Sequence, residues 1–211
     1  LTQRYQNKYR IPSARLPGHD YGAPGWYFVT ICTHNRHWYF GKVVDGEMRH
    51  SPVGQQASDN WEAIPDHFDH ARLDAFVVMP NHVHGLVGLV ARVESENVRQ
   101  NDTVVETRQW HVSTRVSATT ESTQEPDRPN PPKDTAMSAI TPDAGSLAVI
   151  INQYKGTVTR WARNNGIDDF AWQPRFYDRV VRNEEERLRI RRYIEGNPAK
   201  WHRDRNRPAH R

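Results

Sequence analysis

Two apolar runs, Leu73 to Met79 and His82 to Val90, are separated by nothing but Pro80-Asn81. A join that short places two strands side by side in one sheet. Residues 24–34 open on Pro24-Gly25 and are rich in aromatic and β-branched residues, which reads as a further strand. Gly41 to Met48 fits a hairpin around Asp45-Gly46. Over Ser51 to Ile64, the residues Val53, Ala57, Trp61 and Ile64 recur at helical spacing. A second stripe of Leu147, Ile150, Ile151, Tyr154, Val158 and Trp161 predicts a helix that ends near Gly166. Ala171 to Val181 reads as extended, with a break at Gln173-Pro174. Asn183 and Glu186 stand at the N-cap and N3 positions of a capping box, and the helix they start runs to Glu195, where Gly196 and Pro198 stop it. The basic tail after Trp201 reads as loose. The resulting order predicts an α+β domain, an antiparallel sheet carrying helices on one side.

Composition changes abruptly between Ala91 and Ala144. That stretch holds thirteen Ser/Thr, five Pro, six Lys/Arg and nine Asp/Glu, with few large apolar residues. Such a segment cannot bury enough surface to offset its chain entropy. The pieces on either side each look too small to hold a core alone. The expectation is therefore one domain spanning 1–211, interrupted by a flexible insertion at 91–144. The mean hydropathy of -0.88 agrees with a chain that is only partly core. Cys32 is the one cysteine, which excludes an internal disulfide and suits a reducing compartment. Within Trp26 to Cys32 it reads as a small buried hydrophobe. No apolar stretch approaches the roughly 20 residues of a membrane span. Leu1-Thr2-Gln3-Arg4 has no apolar run after it, which reads against a secretory signal. The expectation is a soluble, cytoplasmic protein with no membrane partner.

Three features bear on chemistry. In Pro80-Asn81-His82-Val83-His84-Gly85, strand parity turns His82 and His84 to one face and Val83 to the other. Two imidazoles side by side make a partial site for a divalent ion, although the pair alone also fits two half-exposed strand histidines. His34, His37, His67 and His70 lie in loop-like stretches and read as surface residues. On the last helix, Tyr193 and Asn197 are i and i+4 and share a face. A tyrosine can serve as a covalent nucleophile and an amide oxygen as a metal ligand; the same tyrosine can equally be a ring packed in the core. The third feature is charge. Residues 145–211 hold fifteen Lys/Arg against eight Asp/Glu, and arginines alternate with rings in Arg160-Trp161 and in Trp172-Gln173-Pro174-Arg175-Phe176-Tyr177. Rings and guanidinium groups suit unpaired bases and phosphates, so Lys155, Arg160, Trp172 and Arg175 are the candidate DNA contacts. Arg175 fits equally well as a structural partner of Asp178. The chain has no Walker loop, dinucleotide fingerprint, nucleophile elbow or zinc-finger spacing.

Taken in order, these motifs resemble the single-tyrosine HUH transposases, and within them the REP-associated tyrosine transposase branch. The resemblance is carried by Gly25-Trp26-Tyr27-Phe28-Val29-Thr30-Ile31-Cys32-Thr33, by Phe76 to Gly85, by Trp172 to Asp178, and by Tyr193-Ile194-Glu195-Gly196-Asn197-Pro198. It implies a ferredoxin-like sheet, related in shape to RNA-recognition modules. It implies Tyr193 as nucleophile, with His82, His84 and Asn197 holding Mg²⁺ or Mn²⁺. The implied partner is single-stranded or hairpin DNA, cut and rejoined through a 5′-phosphotyrosine. Tyr154 and Tyr177 are not the implied nucleophile. A homodimer is compatible with the resemblance, which does not fix the oligomeric state. The acidic insertion departs from compact members of the family. Three other readings stay open: a repurposed or inactive nucleic-acid binder of the same fold, an HUH endonuclease of replication or conjugation, and an unrelated metallohydrolase.

Overall fold

The computed structural model describes residues 19–91 and 145–208. In chain order they form β1 (Gly25–Cys32), the ribbon β2 (Gly41–Val44) and β3 (Glu47–His50), α1 (Pro52–Glu62), the short α2 (Ile64–His67), β4 (Ala71–Met79), β5 (His82–Leu89), α3 (Leu147–Asn164), β6 (Tyr177–Val181) and α4 (Glu184–Glu195). The Pro80-Asn81 join pairs β4 with β5, Met79 opposite His82. β1 lies on the other side of β5 and β6 on the outer edge of β1, so the antiparallel sheet runs β4-β5-β1-β6. Leaving out the small ribbon and α2, the order of elements is βαββαβ, followed by α4. The two central strands are then the first and third, which is the ferredoxin-like arrangement.

Local chemistry explains the elements. Asp45 (φ 52°) and Gly46 (φ 78°) both adopt left-handed backbone, as a two-residue hairpin turn between β2 and β3 requires. Ser51 caps α1, its hydroxyl oxygen accepting the Gly54 N–H at 3.1 Å, and Pro52 occupies the first helical position. Asn183 caps α4 by accepting the Glu186 N–H at 2.8 Å. The reciprocal bond of the expected capping box is displaced by one residue, because Glu186 Oε2 accepts from the Arg182 N–H at 2.9 Å.

The main core lies on one face of the sheet. Tyr27, Val29 and Ile31 of β1 and Val83, Val87 and Leu89 of β5 meet Val53, Ala57 and Trp61 of α1 and Leu147, Ile150, Ile151, Tyr154 and Val158 of α3. Gly85 belongs to this face: a Cβ there would be driven into the Trp61 indole. The expectation of helices on one side holds for α1 and α3, but α4 packs on the opposite face. There Ile190 and Ile194 cover Phe28 and Leu86. Parity demands this second layer, since Phe28 and Leu86 alternate with the main-core residues of their strands.

Two further expectations are corrected. His70 is buried, with its ring 2.7 Å from the Gly145 carbonyl and its backbone carbonyl accepting the Val90 N–H at 2.9 Å. The tail after Trp201 is held in place through a 3-10 turn, Pro198–Arg203, that buries Trp201 and leads to a buried Asn206. The expected insertion, 91–144, lies outside the described residues apart from its first. Among the described residues no helix is long and apolar enough to cross a membrane.

Candidate metal and nucleophile site

The second face of the sheet carries the histidine pair. His82 and His84 are fully buried, with ring centroids 4.4 Å apart, and Val83 points into the main core, as parity predicts. The β1–β5 register sets Thr30 opposite His84 and Cys32 opposite His82. Thr30 Oγ1 lies 2.8 Å from His84 Nδ1, so His84 Nε2 is the nitrogen that faces outward. It meets the Tyr193 hydroxyl at 3.2 Å.

Asn81 orients the other ring. Its amide nitrogen donates to the carbonyls of Arg36 (3.1 Å) and Asn206 (2.8 Å). Those two acceptors fix which end of the amide is oxygen. Asn81 Oδ1 therefore accepts from His82 Nδ1 at 2.8 Å, and the lone pair of His82 is left on Nε2. Burial, reinforced by Arg36 and Arg205, holds the His82 pKa down at about 3. Burial and the neighbouring His82 push His84 well below its ordinary value. Both rings are thus neutral near pH 7, the state in which imidazole ligates metals.

α4 brings the other two expected residues. Asn197 lies one turn beyond Tyr193, because the chain stays helical through it (φ −66°, ψ −44°). Its side-chain amide acts on the Tyr193 hydroxyl in the direction that lowers the phenol's pKa. Burial and the charge of Asp204 raise the Tyr193 pKa, while Arg205 and the Asn197 amide oppose them. Tyr193 remains 41% exposed. His82 Nε2 and Asn197 Oδ1 are buried and make no hydrogen bond among the described residues. An orphaned imidazole nitrogen beside a second imidazole is a partial donor set that a divalent cation could satisfy, and Asn197 Oδ1 is a further unpartnered oxygen.

The sequence reading missed Asp204. Its carboxylate is buried and lies 3.9 Å from His82 Nε2, and donor atoms of His82, His84 and Asp204 all fall within 4.8 Å of one another. With the His82 ring neutral and its proton on Nδ1, this proximity is not an ion pair. The signal for Asp204 was slight: it is the only acidic residue after Glu195. Trp201 was read only as the start of the tail; it packs its ring 6.0 Å from His82 and 5.6 Å from Trp38.

Three of the DNA-contact candidates lie along α3. Lys155, Arg160 and Trp172 line a cleft of about 570 Å³ along α3, together with Arg163, Gln173 and Pro174. Trp172 is buried in the main core and its indole N–H donates to the Lys155 carbonyl at 3.1 Å, so its ring is not open to a stacking base. Lys155 Nζ donates to the Gln173 carbonyl at 2.8 Å. Arg160 and Arg175 are exposed. Tyr154 is buried with its hydroxyl on the Ala57 carbonyl, and Tyr177 sits on β6 with Arg205 over its ring.

A protein of Haemophilus influenzae, described as uncharacterized, is 30% identical to this chain over 192 residues, covering 91% of this chain and 90% of its own length. The two chains belong to one family. No protein-family model matches the chain. Two solved structures are similar to it. One is a REP-associated tyrosine transposase bound to a REP hairpin, with 16% identity and a TM-score of 0.44 over 84% of this chain and 68% of that one. The other is a protein described as a transposase from Deinococcus radiodurans, with 16% identity and a TM-score of 0.35 over 86% and 96%. At these scores neither likeness assigns an activity to this chain.

Proposed function

We propose that this family member is a metal-dependent transposase that cuts and rejoins single-stranded or hairpin DNA through Tyr193. The observation that carries the reading is the half-exposed Tyr193 hydroxyl, 3.2 Å from His84 Nε2, whose ring lies 4.4 Å from that of His82 with its orphaned Nε2. The half-exposed phenol keeps its hydroxyl against the buried, neutral His84 ring. As a nucleophile next to a metal site, it has a use.

His82, His84 and Asn197 would hold Mg²⁺ or Mn²⁺, which when bound neutralises charge on a phosphate and polarises it for attack. The protein's own residues supply the rest. Thr30 and Asn81 fix the two rings so that both Nε2 atoms face the same space. The Asn197 amide and the Arg205 charge favour the phenolate. Tyr193 attacks phosphorus in line, its proton passing to water at the exposed edge. The phosphorus–O3′ bond breaks and the released 3′ oxygen takes up a proton. The resulting 5′-phosphotyrosine keeps the phosphodiester's energy, so a DNA 3′-OH can reverse the step. Arg160 and Arg175 are exposed cations available for phosphates.

The test is a panel of labelled single-stranded and hairpin DNAs incubated with the protein and Mn²⁺ or Mg²⁺. A covalent protein–DNA band on a denaturing gel is expected from the natural chain and from Tyr154→Phe, with none from Tyr193→Phe and little from His82→Ala. Cleavage that leaves no adduct, or that survives Tyr193→Phe, contradicts the reading and points to a metallohydrolase using water.

A further inference from the structure

The metal set above uses three neutral donors, and the chain places a fourth group against them. Asp204 comes from the turn after Pro198–Arg203, not from the histidine strand or the tyrosine helix. Its side chain is 4% exposed, and its Oδ2 faces His82 Nε2 at 3.9 Å. That nitrogen carries a lone pair and makes no hydrogen bond among the described residues. A carboxylate oxygen facing an imidazole lone pair in a buried space is repulsive unless a positive charge lies between them.

The turn is built to hold this geometry. Asp204 Oδ1 accepts the Asn206 N–H at 2.6 Å, and the Asn206 carbonyl accepts from Asn81 Nδ2 at 2.8 Å. Arg36 donates to Asn206 Oδ1 at 2.7 Å and to the Arg205 carbonyl at 3.2 Å. Asn81 therefore aligns both the His82 ring and the turn that carries the carboxylate. A shared support of this kind is what orients metal ligands. We propose that Asp204 is a protein ligand of the same ion, so that the C-terminal turn forms one wall of the metal site and supplies its anionic donor. Two imidazoles, a carboxylate and an amide oxygen make a mixed nitrogen and oxygen set, suited to Mn²⁺ and other divalent ions of intermediate hardness. This inference rests on the histidine pair holding a metal.

The test reads metal binding without DNA. The full chain is stripped with a chelator, then titrated with Mn²⁺, and the free-ion EPR signal is followed. The natural chain should take up one ion, and His82→Ala should lose it. Asp204→Asn keeps an oxygen for the Asn206 N–H but removes the charge, and should weaken Kd by at least about tenfold. Near-UV circular dichroism reports whether this variant keeps its fold; if it does not, Asp204→Ser, which also retains an oxygen, is read in its place. A smaller loss, with His82→Ala still failing to bind, overturns the Asp204 assignment and leaves the histidine reading standing. Equal Mn²⁺ uptake by the natural chain and His82→Ala overturns both.

Discussion

At the scale of single residues, the two histidines store a dependence on pH. His82 has a folded-state pKa of about 3, against about 6.5 for an unfolded histidine. Below pH 6.5 the unfolded chain binds the proton more readily than the folded one. The stability tied to the neutral ring is therefore complete above pH 6.5 and is lost as pH falls toward 3. For His82 alone the loss is on the order of 4 kcal/mol across that window. With metal chelated, Tm should fall as pH drops from 6.5, and the fall should be shallower in His82→Gln. Equal slopes in the two proteins would contradict the burial account. The side-by-side placement of His82 and His84 was legible in the sequence because strand parity is local. Thr30, Asn81 and Asp204 were not, since their roles depend on register and on contacts across as many as 125 residues.

Among the elements, α4 decides whether the site exists, because it carries Tyr193 and leads into Asn197. Its apolar contact is small: Ile190 and Ile194 over Phe28 and Leu86. Charge adds to it. The buried Asp74 of β4 takes Arg187 at 2.8 Å and Arg191 at 2.5 Å, while Glu186 pairs with Arg179 of β6. Asp74→Ala should lower stability by about 2 kcal/mol, below the full value of a buried pair because both arginines are partly exposed. Urea unfolding measures this, and adduct formation should fall with it. A change within about 0.5 kcal/mol would mean that the apolar contact alone seats the helix. The helix and its cap were legible from Asn183, Glu186 and the stop at Gly196-Pro198. The sheet face it covers was not, because two isoleucines on a charged helix do not say which side of a sheet they meet. The tail was misread for a related reason: basic composition reads as solvated, while Trp201 and Asn206 are buried by partners far away in the sequence.

Across the whole molecule, the βαββαβ order was legible because each element carries its own periodicity and turn chemistry. The described residues on either side of the segment 92–144 meet at His70. The His70 carbonyl binds the Val90 N–H, and the His70 ring binds the Gly145 carbonyl. Replacing residues 92–144 by a short Gly/Ser linker should therefore leave the fold intact, with Tm changed by only a few degrees. Loss of cooperative unfolding in that variant would show that the core needs the segment. The central claim is that Tyr193 becomes bonded to DNA, and peptide mapping by mass spectrometry tests it most directly. After reaction with a hairpin substrate and nuclease trimming, the peptide containing Tyr193 should carry the added nucleotide mass. The same mass on a peptide containing Tyr154 or Tyr177 instead, or on no peptide while the DNA is cut, would contradict the account.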